Sequence, residues 1–340
     1  MAEPVNHRWV LVARPVGMVS DDLFRWEEAP VPQPEAGQVL LRNLYLSLDP
    51  TNRGWMTENP GYVPPIPLGA VVRGYGIAVV EESRDPRFSP GELVSGMIGW
   101  QEYSCLPADA LTRVPTNVPP PTALNVFNAT GFSAYFGLLD IGKPRTGETV
   151  VVSGAAGAVG SLAGQIARIA GCKVVGIAGG PEKCRWLVEE LGFDSAIDYK
   201  SENVRERLRA LCPDGIDIYF DNVGGSILEA ALDNLRLRAR VVLCGMISTY
   251  NNERPAPGPA NLINLVLRRA RMEGFLVTDY ASRFGEAARE MGQWFAEGKL
   301  RSRETVVEGL ENAPSALRML FTGGNVGKLV LKIARDENEA

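Results

Sequence analysis

Histidine is almost missing: the 340-residue chain holds one, His7. A catalytic zinc ordinarily takes at least one imidazole beside thiolate or carboxylate ligands. His7 stands ahead of the first strand-like run with no cysteine nearby, so it reads as a surface or terminal side chain. No catalytic or structural metal is expected, and a Ser-His-Asp arrangement has almost no candidate base. Cysteine is sparse as well. Cys105, Cys172, Cys184, Cys212 and Cys244 are widely separated, form no C-x-x-C pair and are odd in number. They read as free thiols in a reducing compartment rather than as a disulfide framework. No apolar run reaches membrane-spanning length, and the opening "MAEPVNHRWV" has no signal-peptide core, so a cytoplasmic, membrane-free protein is expected. A net charge of −5 without any basic run argues against nucleic acid as a partner.

What is present is ordinary globular material, 45% apolar and 22% charged, in a chain long enough for about two domains. As far as Pro121 it is strand-like. "HRWVLVARP", "QVLLRNLYLSL", "AVVRGYGIAVVEES" and "ELVSGMIGWQEYSCLP" are separated by Pro- and Gly-bearing stretches, which predicts a mostly β unit, barrel-like or sandwich-like. "VPTNVPPPTAL" reads as the exit. From Glu148 the rhythm becomes strand–helix alternation. "ETVVVSG", "CKVVGIAGG", "SAIDY", "IDIYFDNVGG", "RVVLCGMIS" and "FLVTDY" are expected as six strands of a doubly wound parallel α/β sheet. The helices between them include "PEKCRWLVEELG", "SENVRERLRALC", "SILEAALDNLRLRA" and "LINLVLRRARMEG". Continuous apolar strands suit a sheet covered on both faces. The tail, with "RETVVEG" and "KLVLKIA", reads as returning to complete the first unit.

The segment "VVVSGAAGAVGSLAGQIARIAG" crosses from strand to helix through little besides glycine and alanine. Ala155, Gly157 and Gly160 occupy the three positions of a G-x-G-x-x-G fingerprint, with Ala in the first. The middle small residue lets a pyrophosphate reach the backbone, and the third lets helix and strand pack closely. N–H groups of the first helical turn then face the anion. The alternative is close packing with no ligand. The second strand ends "GIAGG", without the carboxylate that would accept the ribose 2′-OH of NAD. Lys183 and Arg185 follow, which suits the 2′-phosphate of NADP unless they merely decorate a solvated helix face.

These residues resemble the medium-chain dehydrogenase/reductase superfamily. Within it the chain is similar to the zinc-independent branch of prostaglandin reductases (leukotriene B4 12-hydroxydehydrogenases) and plant double-bond reductases. The likeness covers nearly the whole chain, through "SLDPTNRGWM", "ATGFSAYFGLLDIG", "AAGAVGS", "GCKVVGIAG", "FDNVGG", "CGMISTYN" and "GGNVGK". Thr51 and Asn52 stand where the branch has Tyr and Met, a departure that bears on the substrate pocket and not on the fold. The resemblance implies a GroES-like mostly-β domain over residues 1–125, completed by 300–340, and a Rossmann NADP-binding domain over 126–299. It also implies a homodimer through the cofactor domain. Carried over, Ala155, Ala156, Gly157, Ala158, Val159 and Gly160 form the pyrophosphate loop. Gly180, Lys183 and Tyr199 serve the adenosine end, with Lys183 and Tyr199 at the 2′-phosphate. Asn222 stands beside the cofactor, and Cys244, Gly245 and Ser248 lie within a stretch to Tyr250 lining the nicotinamide side. Phe275, Leu276, Val277 and Asn325 close over it.

Members of that branch reduce the C=C bond of α,β-unsaturated ketones and aldehydes with NADPH, placing the hydride on the β-carbon. Charge then builds on the carbonyl oxygen and calls for a hydrogen-bond donor. With no useful imidazole and no metal, the donor is expected to be a hydroxyl, from tyrosine or the cofactor ribose. Tyr250, which follows the fifth strand, is the candidate; the other reading is a loop tyrosine packing under "NNERPAPGPAN". Two further functions stay open at this point: an NADPH quinone oxidoreductase, and a non-catalytic NADPH-binding sensor or scaffold.

Overall fold

The structure, a computed structural model, describes residues 5–333; residues 1–4 and 334–340 of the expected first unit lie outside the described residues. Strand β1 (Val5–Leu11) pairs antiparallel with β2 (Phe24–Pro30). The next apolar runs form β3 (Gln38–Leu48), β4 (Gly76–Ser83), β5 (Leu93–Gly96), β6 (Tyr103–Pro107) and β7 (Thr112–Arg113). Between β3 and β4 lies the short helix α1 (Pro50–Trp55). Beyond the proline-rich exit, α2 (Pro120–Val126) starts with proline in its first turn, where a missing N–H has no partner to lose. It leads into α3 (Ala129–Phe136), which widens into a π-helical turn over Gly137–Gly142.

The alternating half then runs β8 (Thr149–Ser153), α4 (Ala158–Ile169), β9 (Lys173–Ala178), α5 (Pro181–Arg185), β10 (Ser195–Asp198), α6 (Val204–Leu211), β11 (Ile216–Asp221), α7 (Gly225–Leu232), β12 (Leu235–Leu243), α8 (Ile263–Arg268) and β13 (Arg271–Gly274). All six strands are parallel, in the order β10-β9-β8-β11-β12-β13. The order reverses between β8 and β11, and the crevice beyond their C-terminal ends is where such sheets take ligands. Val150 and Val152 enter one core and Val151 the other, as the two-residue side-chain period requires of a strand buried on both faces.

The tail supplies α9 (Phe284–Ala296), β14 (Glu304–Glu308), α10 (Ala313–Thr322) and β15 (Lys328–Lys332). Strand β15 lies antiparallel to β3 and parallel to β14, so the tail joins the first sheet, ordered β14-β15-β3-β4-β5-β7 with β6 also on β3.

Several expectations are corrected: His7 lies inside β1 and not ahead of it, and "LINLVLRRARMEG" stops as a helix at Arg268, its last four residues forming β13. "SILEAALDNLRLRA" is not one helix: α7 stops at Leu232 and β12 opens at Leu235. "LRLRA" alternates with a period of two, and Ile216 N–H donates to Asn234 O at 2.8 Å as sheet pairing takes over from the helix. Nor is "FLVTDY" the sixth strand. That strand is Arg271–Gly274, while Val277–Arg283 coils into a 3-10 turn. As the sheet's outermost strand, largely exposed, β13 needs no apolar run. Phe275 turns inward instead, its ring 2.6 Å from where a Cβ on Gly137 would stand.

The two sheets meet at Gly327, just before β15. Its N–H donates to Ala156 O at 2.8 Å, and it pairs with Gly157 in a parallel bridge. Its φ is 67°, and a Cβ there would sit 1.9 Å from the Arg303 carbonyl oxygen. Gly327→Ala is therefore expected to cost about 1–3 kcal/mol. Urea unfolding checks it, and an unchanged midpoint would contradict the steric argument.

Candidate cofactor and substrate cleft

Strand β8 ends at Ser153, and Gly154 turns the chain at φ 57°. Ala155 returns to the sheet, donating its N–H to Ile177 O at 3.0 Å, and its methyl is buried. Helix α4 then starts from Gly157, which has no side chain to satisfy the orphan donors of the first turn. Ala158 and Val159 are partly exposed in that turn. At Gly160 a Cβ would stand 2.4 Å from Gly154 O, so this glycine serves helix–strand contact. The open helix end is left to bind an anion.

At the tip of β9, Gly180 has a φ of 103° and gives its N–H to Asp198 Oδ1 at 2.7 Å, so that donor is already engaged. The Tyr199 ring lies over Gly179, 2.9 Å from a would-be Cβ. Lys183 Nζ donates to Gly323 O at 3.0 Å. Burial and the nearby Lys200 ammonium both lower its pKa, with Glu182 a smaller opposing influence. Both ammonium nitrogens approach a Cβ position on Gly323, at 3.7 and 4.0 Å. Two cations crowded beside a half-exposed aromatic ring suit a phosphate dianion. Lys200 escaped the sequence reading; it directly follows Tyr199, and only the fold turns it toward Lys183.

Asp221, fully buried at the end of β11, organises the crevice floor. Its carboxylate accepts from Ser153 Oγ at 2.7 Å, Tyr219 Oη at 2.9 Å, and the N–H groups of Val223 and Gly224 at 3.1 and 3.0 Å. Asn222 is held in turn, its Nδ2 donating to Ser153 O at 2.7 Å. The chain after β12 docks on this platform: Cys244 and Gly245 give their N–H groups to Asp221 O, and Ser248 Oγ donates to Val223 O at 2.6 Å. Burial pushes the Cys244 thiol up to about 12, so it is neutral at ordinary pH. The Tyr250 hydroxyl oxygen accepts from Met246 N–H at 3.3 Å and lies 3.1 Å from a would-be Cβ on Gly245. Burial raises its pKa, and the Met246 N–H offsets part of that rise.

Phe275, Leu276 and Val277 follow β13, and Asn325 precedes β15. The ring of Phe275 is turned toward the core under Gly137; Leu276 is exposed and Val277 partly covered. Asn325 shapes the turn before β15, its Nδ2 donating to Gly327 O at 2.9 Å. Asn52 is structural, its Oδ1 accepting Asp49 N–H at 2.7 Å to cap α1. Thr51 Oγ1 instead bonds the hydroxyl of Tyr62, which also accepts from Trp55 Nε1 at 3.1 Å. Tyr62 is the other residue the sequence reading missed. It lies in a Pro/Gly loop without periodicity, yet it is near enough to Tyr250 to act on its ionisation.

The residues present fit a 2′-phosphorylated dinucleotide: an uncapped helix end for the pyrophosphate and a lysine pair for the extra phosphate. Among the described residues no group of three or more His, Cys, Asp or Glu side chains could hold a metal ion. Lys183→Ala is expected to weaken NADPH binding by about tenfold to a hundredfold, the loss of one charge-assisted contact, and to leave NADH nearly unchanged. Binding isotherms for both nucleotides decide it. Equal losses would remove Lys183 from the phosphate.

Residues 7–114 match the family described as the N-terminal domain of oxidoreductase, and residues 158–294 match the zinc-binding dehydrogenase family. The chain is 45% identical over 338 residues to the NADPH-dependent curcumin reductase of Escherichia coli, covering 98% of each chain. It is 44% identical to a tobacco 2-alkenal reductase (NADP(+)-dependent), with 88% of this chain and 89% of that one covered. Among solved structures, Vibrio vulnificus CurA in complex with NADPH superposes with a TM-score of 0.92 at 42% identity, covering 97% of this chain and 100% of that one. The chain belongs to the medium-chain dehydrogenase/reductase superfamily, in the zinc-independent branch that holds the prostaglandin and plant double-bond reductases.

Proposed function

We propose that this protein reduces the C=C bond of α,β-unsaturated ketones and aldehydes with NADPH. The observation that carries the reading is a partly buried tyrosine, Tyr250, at the crevice of a sheet whose adjoining helix end and lysine pair fit NADPH. The names of the relatives support the same chemistry. In this reading residues 126–299 hold the cofactor, and residues 1–125 with 300–340 form the substrate side, with Tyr62 and Thr51 on its wall.

Bound NADPH supplies the hydride. Hydride addition at the β-carbon would move the π electrons onto the carbonyl oxygen, and a proton taken from solvent at the α-carbon would complete the reduction. The protein's share is to hold the oxygen as its charge grows. Tyr250 oxygen already accepts a backbone N–H, which leaves its O–H free to donate toward substrate. Such a donor in a water-poor cleft is worth about 2.7–4 kcal/mol in the transition state.

Tyr250→Phe keeps the ring, so folding and NADPH affinity should hold while single-turnover enone reduction falls about a hundredfold or more. Unchanged turnover would make Tyr250 a wall residue. Because burial raises its pKa, the hydroxyl stays protonated through the neutral range. The rate of the wild-type hydride step should therefore show no fall from tyrosine ionisation between about pH 6 and about pH 9. A fall in that window that vanishes in Tyr250→Phe would contradict the raised value. Assays with enones and quinones side by side distinguish this activity from quinone reduction, and no turnover of either would favour a sensor.

We further propose a cytoplasmic homodimer that binds neither nucleic acid nor membrane. Free thiols and acidic net charge support the location, and no helix among the described residues is long and apolar enough to cross a membrane. The interface we assign to the β13 edge and α8, where Ile263, Val266 and Leu267 are 60%, 68% and 60% exposed. Apolar side chains crowded beside an unpaired sheet edge favour a partner over water. Light scattering should find two chains in the wild type and one in Val266→Asp. A monomeric wild type would overturn the assignment.

A further inference from the structure

Arg53 is 4% exposed on the substrate-side helix α1, and burial lowers the pKa of its guanidinium. Among the described residues no carboxylate pairs with it. Its acceptors are neutral oxygens: Nε donates to Asn251 Oδ1 at 3.2 Å, and one terminal nitrogen donates to Gly17 O at 3.1 Å and Pro15 O at 3.4 Å. Burying a cation against uncharged partners is unfavourable compared with leaving it in water or pairing it with a carboxylate. An arginine that serves only packing has no need of that arrangement.

What those bonds join is specific. Asn251 directly follows Tyr250, and its Nδ2 reaches Met18 Sδ at 3.4 Å, so its amide is gripped from both ends by substrate-side residues. Helix α1 is itself immobilised. Lys328, 1% exposed, donates from Nζ to Asp49 Oδ1 at 2.6 Å and to Leu48 O at 3.0 Å, and Asp49 caps α1. The chain of contacts runs from β15 through Lys328, Asp49, α1 and Arg53 to the turn that carries Tyr250.

We propose that Arg53 is a positioning residue: with Asn251 it latches the Tyr250 turn to the substrate-side wall and so aims the Tyr250 hydroxyl into the cleft. Its catalytic consequence rests on the reading of Tyr250 as hydrogen-bond donor; the latch itself does not. The guanidinium fork matters because it holds the asparagine amide and the Pro15–Gly17 carbonyls at once, a geometry the single ammonium of lysine reproduces only in part.

The test uses full-length protein with bound NADP⁺ and tyrosines labelled at Cζ with carbon-13, the Tyr250 signal being identified by its loss in Tyr250→Phe. In Arg53→Gln and in Asn251→Ala that signal is expected to shift, and its titration midpoint to fall toward the ordinary tyrosine value as the turn loosens. Arg53→Lys should restore part of the shift. Enone kcat should drop about tenfold or more in both variants, with the KM for NADPH unchanged. In the double variant the loss should not exceed the larger single loss, since both residues serve one contact. An unmoved Tyr250 signal in both single variants overturns the latch. A moved signal with undiminished turnover upholds the latch and overturns the reading of Tyr250 as donor. Should Arg53→Gln fail to fold, Asn251→Ala carries the same comparison, because the guanidinium then keeps the Pro15 and Gly17 carbonyls as acceptors.

Discussion

The architecture turns on one backbone contact, the pairing of Gly327 with Ala156 and Gly157. It is made by backbone alone and has no room for a Cβ at Gly327, and it joins the strand that completes the first sheet to the glycine loop after β8. The same short segment gives the Gly323 carbonyl to Lys183 on one side and Lys328 to Asp49 on the other. Phosphate pocket, glycine loop and substrate-side helix are thereby held by one stretch of chain.

Beneath that contact lies a carboxylate that does no chemistry. Asp221 is fully buried, and its charge is tolerated because hydroxyls and backbone N–H groups surround it. Its task is to lock the ends of β8 and β11 together, so that Asn222 and the chain from Cys244 to Tyr250 leave the sheet in one direction. In the proposed reading the work falls to groups that suit a chain almost without histidine: a tyrosine hydroxyl as donor, with ammonium groups and the open end of a helix holding the cofactor.

Much of this was legible in the sequence. The alternation from Glu148 onward, the apolar β8, the small residues of "GAAGAVG" and the missing acid after "GIAGG" each reflect a local requirement, and a local requirement leaves a mark in the residues that meet it. The same logic explains the failures. Strand β13 lies at the edge and carries no apolar pattern, so the nearby "FLV" was the stronger signal for a strand, although Phe275 is there to fill space under Gly137. The start of β12 was hidden because "LRLRA" satisfies a helix and a strand alike.

Lys200, Tyr62 and Arg53 show the limit of such reading. Lys200 is adjacent to a residue already singled out, yet only the turn after β10 brings its ammonium near that of Lys183. Tyr62 comes from a proline-rich loop, and Arg53 meets a partner 198 positions along the chain. By itself the sequence determined the mostly β first half, the parallel sheet and the glycine-rich turn after β8, because these follow from periodicity and composition over neighbouring residues. Which hydroxyls and cations face one another across the cleft was decided by tertiary structure alone, because those distances depend on how two sheets pack, and sheet packing is a property of residues far apart in the chain.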